Sequence, residues 1–199
     1  MLLLKKREND HQQLYLVLLT RYAQLDKYNQ IKAVELTDEH AQLLKIDVLP
    51  KYLTTTNEVL YSLPEISRSL LEEINCAGTM IGSSVEEQSN TNKFFELVHH
   101  YASRQEELVK IIDKELEGKM FLNDKTNIHI SDLYVFCCLM DYLLEIDNQT
   151  KLGIPNVYRW FNYIQKMRGI RECLDAMGYQ TMDEIKWGEE VDKKKKKDK

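Results

Sequence analysis

The sequence predicts an α/β segment followed by an all-helical segment. Up to residue 75, strand-like runs alternate with helical periodicities, and from residue 84 onward the periodicity is helical throughout. The chain of 199 residues is 43% hydrophobic and 30% charged, and its 7 Gly and 3 Pro are too few for a low-complexity sequence. We therefore expect two subdomains, residues 1–76 and 84–185, and then a basic tail or linker, residues 186–199.

The first segment has the predicted order β-α-β-(α)-β-β-α. Residues 31–36 alternate apolar and polar side chains, which is strand spacing. Leu14, Val17, Leu18 and Leu25 recur at helical spacing, and Pro64 stands where a missing N–H does no harm to a helix start. The predicted elements are strands at 2–6, 31–36, 51–55 and 59–61, helices at 10–29 and 64–74, and one or two helical turns at 37–45.

The second segment is predicted to contain helices only. Residues 76–84 contain two Gly and two Ser and are interpreted as a linker. The run from Leu133 to Ile146 is apolar on nearly all sides, which predicts a central buried helix. Val157, Trp160, Phe161 and Ile164 follow helical spacing and predict an amphipathic helix. The remaining helices are expected near 94–102, 108–116 and 170–177.

Charge and composition restrict the class of protein. The net charge is −5, but residues 193–199 hold six Lys and one Asp, a local +5 that leaves −10 on residues 1–192. Because residues 1–192 are acidic, they are not expected to form a domain that binds nucleic acid over a whole face. A bound polyanion would therefore contact the basic tail. A solvated, disordered end is the alternative for these lysines. The sequence has no apolar run of about 20 residues and no secretory signal, which predicts a cytoplasmic protein with no membrane span. Its four Cys lack metal-like spacing, which predicts that they are reduced thiols.

Three stretches resemble one known family. Val48-Leu49-Pro50 before a strand resembles a cis-proline turn, and Ile128-His129-Ile130-Ser131-Asp132 resembles the capping motif that opens a central helix. Val157-Tyr158-Arg159-Trp160-Phe161 with Ile164-Gln165 is the most specific stretch. Together they are similar to glutathione-transferase-like domains, above all those of aminoacyl-tRNA synthetases, tRNA-binding cofactors and tRNA-import proteins.

The resemblance implies a fold and a set of roles. The fold would be a thioredoxin-like N-terminal subdomain followed by a helical C-terminal subdomain. Arg159, Tyr158 and Asn162 would form a two-fold docking surface on their helix, whereas a solvated Arg159 is the simpler alternative. Asp132, Trp160 and Phe161 would be structural, as would Pro50. The predicted tRNA contacts are Lys193, Lys194, Lys195, Lys196 and Lys197.

Departures from the family pattern argue against catalysis. Lys5, Lys6 and Arg7 occupy the place where a transferase has the Tyr, Ser or Cys that activates the glutathione thiol. Ser62-Leu63 replaces the acidic-Ser pair that holds the γ-glutamyl group, and Leu63 offers no hydrogen bond. We therefore predict no enzymatic activity, no cofactor and no metal.

Two other features have simpler structural explanations. The His99-His100-Tyr101 run resembles a metal or catalytic cluster, but adjacent helical residues diverge, so surface or core filling is favoured. Cys137 and Cys138 lie in an apolar helix and are interpreted as small buried hydrophobes.

The predicted function is a non-catalytic module that assembles aminoacyl-tRNA synthetases and assists tRNA binding through its tail. The alternatives are an N-terminal appendix of a synthetase such as the methionyl or glutamyl enzyme, an elongation-factor-1 subunit, a glutathione-dependent transferase, or a stand-alone RNA binder. Homodimer and heteromer both remain open, because one two-fold surface serves either. The strand edge at 31–36 is a second possible docking surface, by strand addition.

Overall fold

The computed structural model describes residues 2–5, 11–23, 33–36, 39, 50–54, 56–73, 76–123 and 126–183. Within them a four-stranded sheet comes first, and every later element is helical. The predicted fold class, an α/β half followed by an all-helical half, is therefore confirmed.

The sheet has the strand order β2-β1-β3-β4. Its strands are β1 (Leu2–Lys5), β2 (Ala33–Leu36), β3 (Lys51–Leu53) and β4 (Val59–Leu60). β1 runs parallel to β2, with Leu2 opposite Ala33, and antiparallel to β3, with Leu2 opposite Tyr52. β3 and β4 form a hairpin whose turn holds Asn57 at φ 65°, a left-handed conformation that Asn tolerates.

Nine helices are described. They are α1 (His11–Tyr22), α2 (Leu63–Glu73), α3 (Ala77–Met80), α4 (Val85–Tyr101), α5 (Gln105–Glu115), α6 (Ile130–Glu145), α7 (Asn148–Leu152), α8 (Pro155–Lys166) and α9 (Ile170–Met177). Helix α4 begins with a capping box, in which Ser84 accepts from the backbone N–H of Glu87 and the Glu87 carboxylate reaches back.

The core joins the two halves through helix α6. This helix is buried on nearly all sides and packs against α1, α4 and α5. At the junction the Tyr15 ring meets the Tyr134 ring edge-on at 5.3 Å between centroids, and Phe95 stacks on Tyr134 at 4.4 Å. Edge-on and stacked aromatic pairs add specific geometry to the burial of apolar area. The two subdomains consequently share one continuous core.

Several predicted segments differ from the structure or fall outside it. The predicted linker at 76–84 contains helix α3. Its last residue, Met80, and the following Ile81 are buried, so two apolar residues among Gly and Ser anchor this segment. Helix α7, a five-residue helix capped by Asp147, was also not predicted from the sequence. The turns predicted at 37–45 lie outside the described residues except for Glu39, as do residues 24–30 and the tail.

Candidate functional site

Helix α8 carries the predicted docking residues, and its start is fixed by another helix. Ile154 precedes the helix without a side-chain cap, and Pro155 opens it. The Asp113 carboxylate, at the end of α5, accepts hydrogen bonds from the backbone N–H groups of Asn156 at 2.8 Å and Val157 at 2.9 Å. Asp113 thus satisfies two donors that the first turn of a helix leaves unpaired, and places a negative charge at the positive end of the helix dipole.

The inner face of α8 is tied to a buried carboxylate. Trp160 is fully buried, and its Nε1–H donates to Asp132 Oδ1 at 3.0 Å. The same carboxylate accepts from the backbone N–H of Leu122 at 2.9 Å and of His129 at 3.1 Å. Burial raises the pKa of Asp132 to about 6, and these three donors offset part of that shift. The carboxylate connects α6, α8 and the segment before α6.

The outer face of α8 presents Arg159, Asn162, Tyr163 and Lys166, which recur at helical spacing. Arg159 is exposed, yet its Nη2 donates to the backbone carbonyl of Lys119 at 2.5 Å and to that of Leu116 at 3.4 Å. These carbonyls follow the C-terminal end of α5, where a cation is favourable. Arg159 therefore holds the turn after α5 against α8, a contact that neither sequence-based interpretation of this residue included.

The two other predicted interface residues are less accessible than Arg159. Tyr158 is half-buried and packs against the core. Asn162 is also half-buried, and its Oδ1 accepts from Gln165 Nε2 at 2.7 Å. Gln165 in turn holds Met182, through bonds of 2.8 and 2.9 Å to its backbone. Residues near 182 consequently lie alongside α8.

Sequence reasoning missed two residues of this surface. Met120, in the turn held by Arg159, is 50% exposed, and Tyr163 is 48% exposed. The Tyr163 ring meets the Phe121 ring at 5.9 Å, so the turn and the helix contact one another at this point. Tyr163 could have been found from its i+4 spacing to Arg159, whereas no spacing rule links Met120 to the helix.

A cleft of about 840 Å³ lies between the two halves of the molecule. Its lining residues come from the starts of α1 and α2 and from helices α4 and α6: Gln12, Tyr61, Ser62, Leu63, Pro64, Lys93, Phe95, Glu96, Leu97, His99, His100 and Tyr134. The buried wall, which includes Leu63, Phe95 and Tyr134, is apolar or aromatic. Lys93, Glu96 and the two histidines are exposed and bring polar groups to the rim.

The comparison with solved structures identifies the fold. The GST-like domain of elongation factor 1-gamma from Saccharomyces cerevisiae superposes with a TM-score of 0.67, covering 87% of this chain and 92% of that domain at 13% identity. The structure is a glutathione-transferase-like fold. A glutathione transferase from Methylococcus capsulatus gives a TM-score of 0.68 over 89% of this chain and 99% of that chain, at 14% identity. At these identities the likeness establishes the fold alone.

The relatives found by sequence are proteins of translation and tRNA aminoacylation. Human eukaryotic translation elongation factor 1 epsilon-1 is 27% identical over 135 residues, which are 65% of this chain and 76% of the human protein. The tRNA-aminoacylation cofactor arc1 of Schizosaccharomyces pombe is 26% identical over 70 residues, 35% of this chain and 16% of the yeast protein. No protein-family model matches the chain. The predicted resemblance to glutathione-transferase-like domains of synthetase-complex auxiliary proteins is confirmed by these matches.

At the cleft, Ser62 and Leu63 make contacts within the protein. The Ser62 hydroxyl donates to the Glu65 carboxylate at 2.7 Å, at the start of α2. Leu63 is 8% exposed and belongs to the core. Tyr15, the buried tyrosine of α1, shares a 2.7 Å hydrogen bond with Ser67, and burial raises its pKa. The hydroxyls of Ser62 and Tyr15 therefore have partners inside the protein.

The other singled-out residues do not converge on a further site. Among the described residues, no three His, Cys, Asp or Glu side chains are grouped to hold a metal ion. His99 and His100 are exposed, and His100 Nε2 lies 3.2 Å from Arg104 Nη2. Burial raises the pKa of the Cys137 thiol well above its ordinary value and raises the pKa of the Cys138 thiol to about 12, so both stay protonated. None of the helices described here is both long and apolar enough to cross a bilayer.

Three predicted features can be placed only in part. Pro50 is half-buried just before β3, but Leu49 lies outside the described residues, so the peptide bond between them is not described. Among the described strands, β2 lies at one edge of the sheet, as the second docking hypothesis requires. The lysines of residues 193–197 lie outside the described part of the chain.

Proposed function

We propose that this protein is a non-catalytic interaction module of the protein-synthesis apparatus, acting in the cytoplasm to assemble aminoacyl-tRNA synthetases. The observation that carries the proposal is that its sequence relatives are a translation elongation factor component and a tRNA-aminoacylation cofactor, although its fold is shared with transferases. The sequence likeness thus points to translation where the fold alone would also permit glutathione chemistry.

The cleft supports the non-catalytic part of this proposal. Glutathione carries two carboxylates and an amine, which need charged or hydrogen-bonding partners when they leave water. Leu63 presents only apolar atoms, and the Ser62 hydroxyl is bonded to Glu65. We expect no retention on immobilised glutathione and no conjugation of a chloronitrobenzene substrate. Saturable binding with turnover would reverse this part of the proposal.

The outer face of α8 is the docking surface in this proposal. It combines an exposed arginine with an exposed aromatic ring, two residue types that are enriched at protein interfaces. Arg159, Tyr158 and Asn162 remain its predicted members. Two measurements on the wild type and on Arg159→Ala test this surface. They are the solution mass by light scattering and the affinity for purified synthetases. A dimer that persists in the variant, with unchanged synthetase binding, would move docking elsewhere, and the β2 edge would be examined next.

The lysine tail is the proposed tRNA contact. Each phosphate neutralised by a Lys lowers the logarithm of the binding constant by about 0.7–0.9 per tenfold rise in salt. Five contacts from Lys193, Lys194, Lys195, Lys196 and Lys197 give a slope near −4 by this rule. Deleting residues 193–199 should abolish that salt-sensitive binding. Unchanged tRNA binding after the deletion would place the contact on the folded domain.

A further inference from the structure

The segment after helix α9, residues 179–183, is bonded to both α8 and α9. Gly178 ends α9 in a left-handed conformation at φ 74°, and the Tyr179 N–H bonds back to the last turn of α9 at 2.9 Å, which reverses the chain. The Gln165 side chain then bonds to the N–H and to the carbonyl of Met182, which is 4% exposed. We call this segment the C-terminal strap, since it is held to a helix near each of its ends.

The middle of the strap presents a hydroxyl group to an arginine. Thr181 is half-buried, and its Oγ1 accepts a hydrogen bond of 2.9 Å from Arg171 Nη1. Arg171 Nε donates to Asp175 Oδ2 at 3.0 Å, so different N–H groups of the guanidinium serve the two residues. A phosphate attached to Thr181 Oγ1 would therefore begin beside an N–H that already points at this oxygen. Hydrogen bonds from a guanidinium to phosphate oxygens are stronger than that to a neutral hydroxyl, because both groups are charged.

The charges around the strap are balanced, so the position of one arginine and not a net positive charge favours a phosphate here. The charged residues from 166 to 183 are Lys166, Arg168, Arg171, Glu172, Asp175 and Asp183. Asp175 is paired with Arg171, and Glu172 lies 3.9 Å from Arg168. The carboxylates would repel a phosphate, but water screens exposed charges, whereas Arg171 acts at hydrogen-bond distance.

The sequence after Thr181 matches what one class of protein kinase selects. Asp183 and Glu184 stand two and three residues after the hydroxyl, the acidic spacing that acidophilic Ser/Thr kinases recognise. Because Met182 is buried and bonded to Gln165, a kinase can engage this segment only after the strap has opened. Local opening of a segment held by a few bonds costs less free energy than global unfolding.

We propose that Thr181 is a phosphorylation site and that its phosphate, bound by Arg171, holds the C-terminal strap closed. A kinase transfers the γ-phosphoryl group of ATP. The bond between Thr181 Oγ1 and phosphorus forms, the bond from that phosphorus to the β-phosphate oxygen breaks, ADP leaves, and the hydroxyl proton passes to the base of the kinase. The open strap is thus the substrate, and the closed strap is the favoured form of the product. This inference does not depend on the proposed scaffold function or on any docking partner.

The first test locates the phosphate. The full chain is incubated with ATP and casein kinase 2, an acidophilic kinase, and the modified residue is identified by mass spectrometry. We expect Thr181→Val to lower total incorporation at least fivefold. Ser84 is the matched comparison, because Glu86 and Glu87 follow it at the same spacing, but its hydroxyl belongs to the capping box of α4. Ser84→Ala should change incorporation less than twofold. Incorporation at Ser84 in place of Thr181, or none at all, would overturn the site.

The second test asks whether the phosphate holds the strap. The Met182 amide bonds to Gln165 Oε1, so its hydrogen exchange, followed by NMR, reports opening of the strap. Phosphorylation should slow this exchange at least threefold in the wild type and in Arg168→Gln, whose side chain is 95% exposed, but not in Arg171→Gln. Exchange that phosphorylation leaves unchanged or accelerates in the wild type would overturn the closing role of the phosphate. Equal slowing in Arg171→Gln would overturn the role of Arg171.

Discussion

Arg159 and Trp160 are neighbours in sequence, and each connects α8 to the segment between α5 and α6, Arg159 at the surface and Trp160 in the core. Trp160 donates to Asp132, which also binds the N–H of Leu122, inside the core. Arg159 donates to the carbonyl of Lys119 at the surface. In the core, no water can take the place of the Asp132 carboxylate as the acceptor for its donors. At the surface, water can take the place of the Arg159 guanidinium as a donor to the Lys119 carbonyl. Similar hydrogen bonds therefore differ in energetic weight according to burial.

The largest effect is expected from removing the buried carboxylate. Asp132→Ala leaves the N–H groups of Leu122 and His129 and the Trp160 Nε1–H without their acceptor. Each unsatisfied buried donor costs about 1–3 kcal/mol, so we expect a loss of about 4 kcal/mol in the free energy of unfolding, measured by urea denaturation. Asp175→Ala, which removes an exposed carboxylate paired with Arg171, is the control and should cost under about 1 kcal/mol. Equal losses in the two variants would contradict the comparison.

The second effect is a pH dependence from the same residue. The pKa of Asp132 is raised from 3.8 to about 6 in the folded protein. Between these values the native state holds a proton that the unfolded state has lost, so stability falls as pH rises. The expected loss from Asp132 is about 3 kcal/mol in total between about pH 3 and pH 7, and about 2 kcal/mol of it falls between pH 4 and pH 6. Subtracting the unfolding profile of Asp132→Asn from that of the wild type isolates this slope, and a difference that rises with pH would refute it.

The third effect comes from the Trp160 side of the bond. Trp160→Phe keeps an aromatic ring but removes the Nε1–H that donates to Asp132, and leaves some volume unfilled. We expect a loss of about 2 kcal/mol in unfolding free energy. The mutation should cost less in an Asp132→Asn background, because the two share one interaction. Fully additive losses would show that Trp160 acts by packing alone.

The smallest effect is expected on the outer face. Arg159→Gln should lower the free energy of unfolding by at most about 1 kcal/mol, because water can replace the lost donor. The effect on local opening of the turn after α5 should be larger than the effect on the free energy of global unfolding. The amides of Glu117 and Lys119, which bond to the carbonyls of Lys114 and Leu116, should exchange faster with deuterium. Unchanged exchange at these amides would show that Arg159 does not hold the turn after α5.

The sequence predicted the parts of the molecule that depend on periodicity. Val157, Trp160, Phe161 and Ile164 are all buried on one side of α8, as their spacing requires. Helix α7 and the short α3 were not predicted, since helices of five and four residues span too few turns to show a period.

The contacts of the candidate site were harder to predict, because they join distant segments. Arg159 reaches a carbonyl 40 residues away in the chain, and Asp113 caps a helix that begins 42 residues after it. The exposure of Met120 likewise depends on how the turn after α5 is held. A single sequence carries no local signal for such pairings, so the proposed docking surface could be predicted only as far as the face of α8 that carries Arg159.

The packing of α1 against α6 has a consequence for synthesis of the chain. The face of α1 that carries the buried Tyr15 packs against α6, which ends at Glu145. At about 5–20 residues per second, the ribosome needs roughly 6–25 s to extend the chain from the end of α1 to the end of α6. During that interval an apolar helix lacks its native cover, so a chaperone that binds nascent chains should crosslink to α1 until α6 emerges.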